Sequence, residues 1–510
     1  MFYVVGSGPS GIAAAAALLD AGRPVTMLDV GTTCEIDPLA TRTLDSPEHR
    51  WEIGDLKRAY GSTFAYALDE MGDDTQRGTR VVQSFARGGL SNVWGAAVLP
   101  ARSRDCEDWP FDVRALDRSY AAVAQWMPIA AVEDDLAPEF PLHGKPEPPL
   151  RASRQAVSLL ETLGAHRTSL RRAGVTFGHS RLAVRARPSD RSPGCQYTGR
   201  CLTGCPHLAI WTAGDALAGL QRREGFTYRS GFRVDRVVAS GDGVTIDGVT
   251  SQGEQQSIAG ERVLLACGPL ATARIVLHSL QQYERPIALK YQPYFLLPML
   301  ASRGTDGVES EALHTLSQVF VEITDPDVSP HTVHLQFYTY NSFIGARVHA
   351  VTRWAGPFGG PVRRALVGRL LAVQGYLHSS AAGPIDVTAR YDARRARVRL
   401  DLHADAPPRP AIERVVRTLK KHRSDFGAMP LTSQLTIGHP GDGNHCGGSF
   451  PMRTQPTALE TDIHGQLADL PGVHLVDSSV LPSLPATTFT YAVMANADRI
   501  ARALAHAEPR

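Results

Sequence analysis

The chain opens on a four-residue apolar run, Phe2-Tyr3-Val4-Val5, rich in β-preferring side chains. Gly6-Ser7-Gly8-Pro9-Ser10-Gly11 follows at once, and Ile12 to Leu19 is an alanine- and leucine-rich stretch of high helix propensity. After the turn Ala21-Gly22-Arg23-Pro24 comes a second short apolar run, Val25 to Leu28, closed by Asp29. This order predicts strand, glycine turn, helix, strand and a terminal acid.

Further on, Tyr228 to Val238 reads as a strand entering a hairpin, continued by Val244 to Ile246 and Val249 and closed by Glu261 to Gly268. The buried run ending in Ala266-Cys267-Gly268 has the character of a central strand reaching a ligand. Residues 284–350 are strand-rich, with runs at Tyr294 to Leu297, Val319 to Ile323 and Val333 to Tyr340. Residues 361–378 read as an amphipathic helix carrying Arg363, Arg364 and Arg369 on its polar side, backing a sheet rather than touching a membrane. Gly472 to Pro482 is a strand running into a loop, and Phe489 to Leu504 an alanine-rich amphipathic helix. The proline-rich stretch Phe140 to Leu150 reads as a linker.

Composition narrows the class. Over 510 residues, 53 Lys and Arg stand against 51 Asp and Glu, and 43% of residues are apolar. That balance fits a globular protein of about two domains with a large core and carries no nucleic-acid footprint. Seven cysteines are too few for a disulfide scaffold. The apolar stretches fall short of the about 20 residues a membrane span needs. With structure starting at Phe2 and no leader ahead of it, a cytoplasmic location is expected.

The glycine turn has specific chemistry. Gly6 permits a tight turn, Gly8 lets the backbone approach a pyrophosphate, and Gly11 lets the helix pack on the sheet. The helix N-terminus offers N–H groups to phosphates, and Asp29, about 20 residues on, can accept from a ribose diol. In Arg87-Gly88-Gly89-Leu90-Ser91-Asn92-Val93-Trp94-Gly95 the glycines would let the main chain lie against a flat ligand. Asn444-His445-Cys446-Gly447-Gly448-Ser449 holds a histidine that is either a solvated loop residue or a general base. Asp477 and Ser478, ahead of the last helix, mark a second place to hold a dinucleotide.

Together these segments resemble the glucose–methanol–choline (GMC) family of flavoprotein oxidoreductases from Phe2 to about Leu504. GSGPSG at 6–11 with Asp29, GGLSNVWG at 88–95, His445-x-x-Gly448-Ser449-x-x-Met452 and GVHLVDSSVLPSLP at 472–485 carry the resemblance. It implies a mixed α/β fold: a Rossmann-type FAD domain assembled from 1–150, 190–285 and 430–510, and a substrate domain, 151–189 and 286–429, with a large antiparallel sheet backed by helices. It implies FAD as cofactor, held by Gly6, Ser7, Gly8, Pro9, Ser10, Gly11, Asp29, Gly88, Gly89, Ser91, Asn92, Trp94 and Gly95. Val234, Ala266, Cys267, Gly268, Asp477, Ser478, Thr488 and Phe489 complete that set; no metal is expected. His445 would take the hydroxyl proton of an alcohol whose hydride passes to flavin N5, with oxygen or another acceptor reoxidising the flavin.

The sequence departs from the family in two places. Where a second catalytic His or Asn is usual, the chain reads Pro485-Ala486-Thr487-Thr488-Phe489, so His445 would act alone, with Asn444, or beside Thr488, a poor base. Cys195, Cys201 and Cys205 leave open an iron–sulfur site, a zinc site with His207, a disulfide or, because the four-ligand set is incomplete, buried filler residues. Gln318, His334, Gln336, Tyr338, Tyr340, Asn341 and His378 suit a sugar, a glycoside or another polyhydroxylated molecule. A long-chain or sterol alcohol is second. A flavin-binding subunit that needs a redox partner protein, or performs a different redox reaction, is the alternative from another class.

Overall fold

The computed structural model describes residues 1–33, 74–202, 205–241, 243–353, 359–395 and 397–507. The first thirty residues form the strand Phe2–Val5, the helix Pro9–Asp20 and the strand Val25–Leu28, with the two strands parallel. Arg262–Leu265 pairs with the other edge of Phe2–Val5, Val473–Leu475 lies beyond it, and Phe226–Arg229 closes the far side. The five strands come from widely separated parts of the chain, as a Rossmann-type FAD unit built from pieces requires. Val263, Leu264 and Leu265 are wholly buried, which suits a parallel strand covered on both faces. The helices Pro9–Asp20 and Thr490–His506 pack together, and both bury small residues, among them Ala14, Ala17, Ala495 and Ala497.

The expected hairpin divides differently. Phe226–Arg229 joins the parallel sheet, Gly231 turns the chain with φ 72°, and Phe232–Ser240 begins a separate antiparallel sheet with Gly243–Thr250 and Gln255–Gly260. Arg262–Leu265 then returns to the parallel sheet instead of closing the hairpin.

A seven-stranded antiparallel sheet forms the second layer system. Its main order is Ala428–Pro430, Tyr294–Ala301, Leu370–Tyr376, Val333–Tyr338, Val319–Ile323 and Val175–His179, with Thr436–Ile437 also on Tyr294–Ala301. One face is apolar, with Phe295, Leu297, Val321, Leu335 and Val373 packed under the helices Arg154–Ala165 and Arg409–Lys421. Because strand side chains alternate, the other face carries Glu322, His334, Gln336, Gln374 and Tyr376.

The helix expected over 361–378 is a correction. Gly359–Val367 is helical, but Leu370–Tyr376 is a strand inside this sheet. Leu371 and Val373 alternate with Ala372 and Gln374, a period of two that the arginines upstream obscured. Gly368 makes the break: a Cβ there would lie 2.6 Å from the Thr305 carbonyl oxygen.

A further five-stranded sheet, ordered Cys446–Gly447, Pro286–Tyr291, Ile385–Asp392, Arg397–His403 and Thr75–Arg77, shares its core with the parallel sheet. Thus Pro286–Tyr291 and 385–403, grouped by sequence with the substrate segment, pack with the dinucleotide side. The chain passes from this sheet into the seven-stranded one across Gln292-Pro293. Among the described residues no helix is long and apolar enough to cross a membrane.

Candidate active site

One large cavity runs along the carboxyl ends of the parallel strands. Gly6, Ser7, Gly8, Pro9 and Ser10 line one part and Asp29 its side; Ala266, Cys267 and Gly268 line another, with Asp477 and Ser478 beside them. Gly89, Val234, Phe489, Asn444 and His445 complete the sequence-expected residues on its wall. Gly11, Gly88, Ser91, Asn92, Trp94, Gly95 and Thr488 are not on that wall. The segment Val82 to Ala86 and Phe232 are, and no motif announced them.

The glycine turn is built for close approach. Gly6 has φ 101°, and a Cβ on Gly11 would lie 2.0 Å from the Gly6 carbonyl oxygen, so no side chain fits there. Ser7 Oγ donates to Asp29, Tyr228 donates to the same carboxylate oxygen at 3.0 Å, and the Gly88 N–H donates to Ser7 Oγ at 2.9 Å. Burial raises the Asp29 carboxyl to about 6 even though the bonds from Ser7 and Tyr228 pull it down.

Side chains of the 88–95 loop hold the loop itself. Ser91 Oγ donates to the Gly88 carbonyl and accepts from the Ala213 N–H, Asn92 donates to Arg87 and Gly89, and the Trp94 indole donates to Trp211 at 2.9 Å. Asp477 accepts from the Gly268 N–H, the Thr272 hydroxyl and the Ser479 N–H, and burial raises its carboxyl above the ordinary value. Ser478 Oγ donates to the Cys446 carbonyl at 2.7 Å, tying this segment to the histidine loop.

His445 is set by its sheet. Lys290 pairs with Gly447 and Tyr291 with Cys446, and the next step places the Gln292 N–H on the His445 carbonyl at 3.1 Å. The Gln292 side chain then meets the imidazole, Oε1 lying 2.6 Å from Nδ1. Gln292 Nε2 donates to the carbonyls of Pro485 and Thr487. Both amide hydrogens are therefore used, Oε1 is an acceptor, and the His445 proton sits on Nδ1. Nε2 keeps its lone pair. The ring lies between Tyr376 (centroids 5.3 Å apart) and Phe489 (5.4 Å, edge-on). Burial, with the nearby His334, pushes the imidazole down to about 4, so it is neutral at physiological pH.

The other expected catalytic residues sit differently. Asn444 is exposed at φ 57° and shapes the turn before His445; the residue that holds His445 is Gln292, which sequence reasoning missed. Thr488 is 5% exposed, and its Oγ1 finds no protein partner among the described residues. Of the polar residues expected around the substrate, His334, Gln336 and Tyr338 form one buried row. Gln318 bonds Ser153 and His314, Asn341 caps the helix Ser342–Thr352, and His378 is held by Ser380 and the Asp105 carbonyl. Tyr340 packs in a small separate cluster with Val348 and Val367. Cys195, Cys201 and Cys205 are free thiols packed against the main core.

A family model of the GMC oxidoreductases matches residues 37–288. The chain belongs to the GMC oxidoreductase family. This GMC oxidoreductase is an FAD-dependent enzyme. Among solved structures it is similar to pyridoxine 4-oxidase from Mesorbium loti, with a TM-score of 0.62 at 16% identity over 99% of each chain. It is also similar to a formate oxidase, with a TM-score of 0.59 at 13% identity over 98% of this chain and 97% of that one. At such identities the likeness is one of fold. No curated protein sequence matches the chain.

The cavity of this GMC oxidoreductase fits FAD on its own residues. The helices Pro9–Asp20, Pro269–Ser279 and Thr490–His506 all begin at its wall without a side-chain cap, leaving N–H groups and positive dipole ends for a pyrophosphate. Gly8 leaves the turn open: a Cβ there would find its nearest neighbour 3.9 Å away. Asp29 stands where a ribose diol can donate.

Proposed function

We propose that the protein oxidises an alcohol group of a small hydroxylated molecule, with His445 Nε2 accepting the hydroxyl proton. The observation that carries this reading is the Gln292 amide, which fixes the imidazole proton on Nδ1 and leaves Nε2 as the base. FAD, when bound, supplies the two-electron acceptor that takes the carbon-bound hydrogen. The chain's own part is to hold the hydroxyl at Nε2 between Tyr376 and Phe489, to exclude water, and to store the proton on an imidazole whose other nitrogen is already bonded. A buried neutral histidine makes a base that is unprotonated at neutral pH.

A sugar, a glycoside or another polyhydroxylated ring compound is the favoured substrate class. The aromatic faces of Tyr294, Tyr376 and Phe489 beside polar Gln336 and Gln374 support a ring bearing hydroxyl groups. The pyridoxine of the similar oxidase is such a compound. FAD contacts fall to 1–150, 190–285 and 430–510, and substrate contacts mainly to the face of the seven-stranded sheet within 286–429.

The test is His445→Ala with flavin content measured alongside. With an alcohol that bleaches the wild-type flavin under anaerobic conditions, the variant should keep its flavin and reduce it at least about a hundredfold more slowly. An unchanged rate would sink the assignment.

A further inference from the structure

The polar face of the seven-stranded sheet carries a directed chain of hydrogen bonds. The Tyr338 hydroxyl donates to Gln336 Oε1 at 3.0 Å. The Gln336 amide nitrogen therefore faces His334 Nε2, 3.1 Å away, and donates to it. His334 Nε2 is an acceptor, so its proton sits on Nδ1 and goes to Glu322 Oε1 at 2.7 Å. Glu322 and His334 are 0% exposed. On the next strand the Tyr376 hydroxyl donates to Gln374 Oε1 at 3.3 Å.

This chain consumes the phenolic protons and leaves oxygen lone pairs. The row adjoins His445 through the Tyr376 ring. A methyl on Gly95, in the 88–95 loop, would stand 3.7 Å from the Tyr338 hydroxyl, and the Tyr376 ring is next to both His445 and His334. With their hydrogens donated along the row, Tyr338 Oη and Tyr376 Oη keep acceptor lone pairs, as does His445 Nε2. The buried Glu322 carboxyl lies at the end of the row, and its Oε2 has no partner among the described residues.

We propose that this row is the substrate-recognition surface and that it selects neutral or cationic alcohols carrying a further hydrogen-bond donor, a second hydroxyl or an amine, while rejecting alcohols that carry a carboxylate. The inference rests on the reading of His445 as the base, because it places the substrate between that residue and the row. A carboxylate brings only acceptors, so it would face unmatched lone pairs. A second hydroxyl brings the proton that each phenolic oxygen lacks. Tyr338 is then a specificity-determining residue.

The experiment is equilibrium binding to the oxidised, FAD-loaded protein by titration calorimetry, with anaerobic flavin bleaching read separately. Two matched series serve as probes: benzyl alcohol, meta-hydroxybenzyl alcohol and meta-(hydroxymethyl)benzoate; and methyl glucoside against methyl glucuronide. In at least one series the donor-bearing neutral member should bind about tenfold tighter than the carboxylate. In Tyr338→Phe that contrast should shrink to about threefold or less, and Tyr376→Phe replaces it if the first variant loses its flavin. Equal binding throughout both series, preference for the carboxylate, no binding in either series, or an unaltered contrast in the variants overturns the proposal. Selective binding without bleaching leaves recognition standing and counts against His445 as the base.

Discussion

Gln292 Oε1 accepts the Nδ1 hydrogen of His445 across 2.6 Å, while both hydrogens of the same amide are spent on the Pro485 and Thr487 carbonyls. The three segments so joined are the strand leaving one sheet, the histidine loop and the turn before the last helix. The Gln292 amide thus reaches the 485–489 segment, where the family resemblance leads one to expect a His or Asn and the sequence has neither. It gives His445 orientation and tautomer without a second base.

Replacing that amide separates positioning from structure. Gln292→Leu should slow flavin reduction about tenfold to a hundredfold with flavin content retained. Gln292→Glu places a carboxylate against Nδ1, which favours the imidazolium. In the wild type the acid limb of the reduction rate should lie near the His445 value of about 4. In the Glu variant it should move up toward neutral pH. Stopped-flow reduction across pH 4 to about 9 reads both effects, and an unmoved limb in the Glu variant would reject the positioning role.

If Asp29 holds the FAD ribose as proposed, flavin affinity should depend on pH. Its carboxyl is raised to about 6 by burial, and the ionised form is the stronger acceptor for a ribose hydroxyl. FAD binding should therefore weaken as pH falls through about 6, by about fivefold to tenfold. Asp29→Asn should show weaker binding at neutral pH and little of this dependence. Fluorescence titration of the flavin-free protein with FAD provides the measurement.

His474 sits in the parallel sheet, 2% exposed, with Nδ1 on the His464 carbonyl at 3.0 Å and no partner for Nε2 among the described residues. Burial pushes it down to about 4 from an ordinary 6.5. The unfolded chain binds this proton first, so wild-type stability is lost as pH falls from 6.5 toward 4. His474→Leu removes the group. Its melting temperature relative to wild type should rise over that same window, and a pH-independent difference would contradict the assignment.

Local features were legible in the sequence. The Gly6 to Gly11 turn, the helix after it and Asp29 all lie within one βαβ unit, where neighbours in sequence are neighbours in space. The role of Gly11 follows from the same local geometry. Beyond such units the reading weakened. Leu370–Tyr376 looked helical because Arg363 and Arg364 set a helical period just upstream, whereas Gly368 and the neighbouring strands impose a period of two. Asn341, Gln318 and His378 looked like substrate residues by type, yet each satisfies a buried or terminal backbone group of the scaffold.

By itself, the sequence determined the family and the cofactor and singled out His445 as the candidate base, because each rests on a short run whose chemistry depends on local spacing. Tertiary structure alone decided how that histidine is held and what faces it. Gln292 is 153 residues from His445 and meets it only through the register of Pro286–Tyr291 against Cys446–Gly447. The row from Tyr338 to Glu322 likewise depends on which strand edges pair and which face turns inward. A one-residue slip would send those side chains to the opposite face.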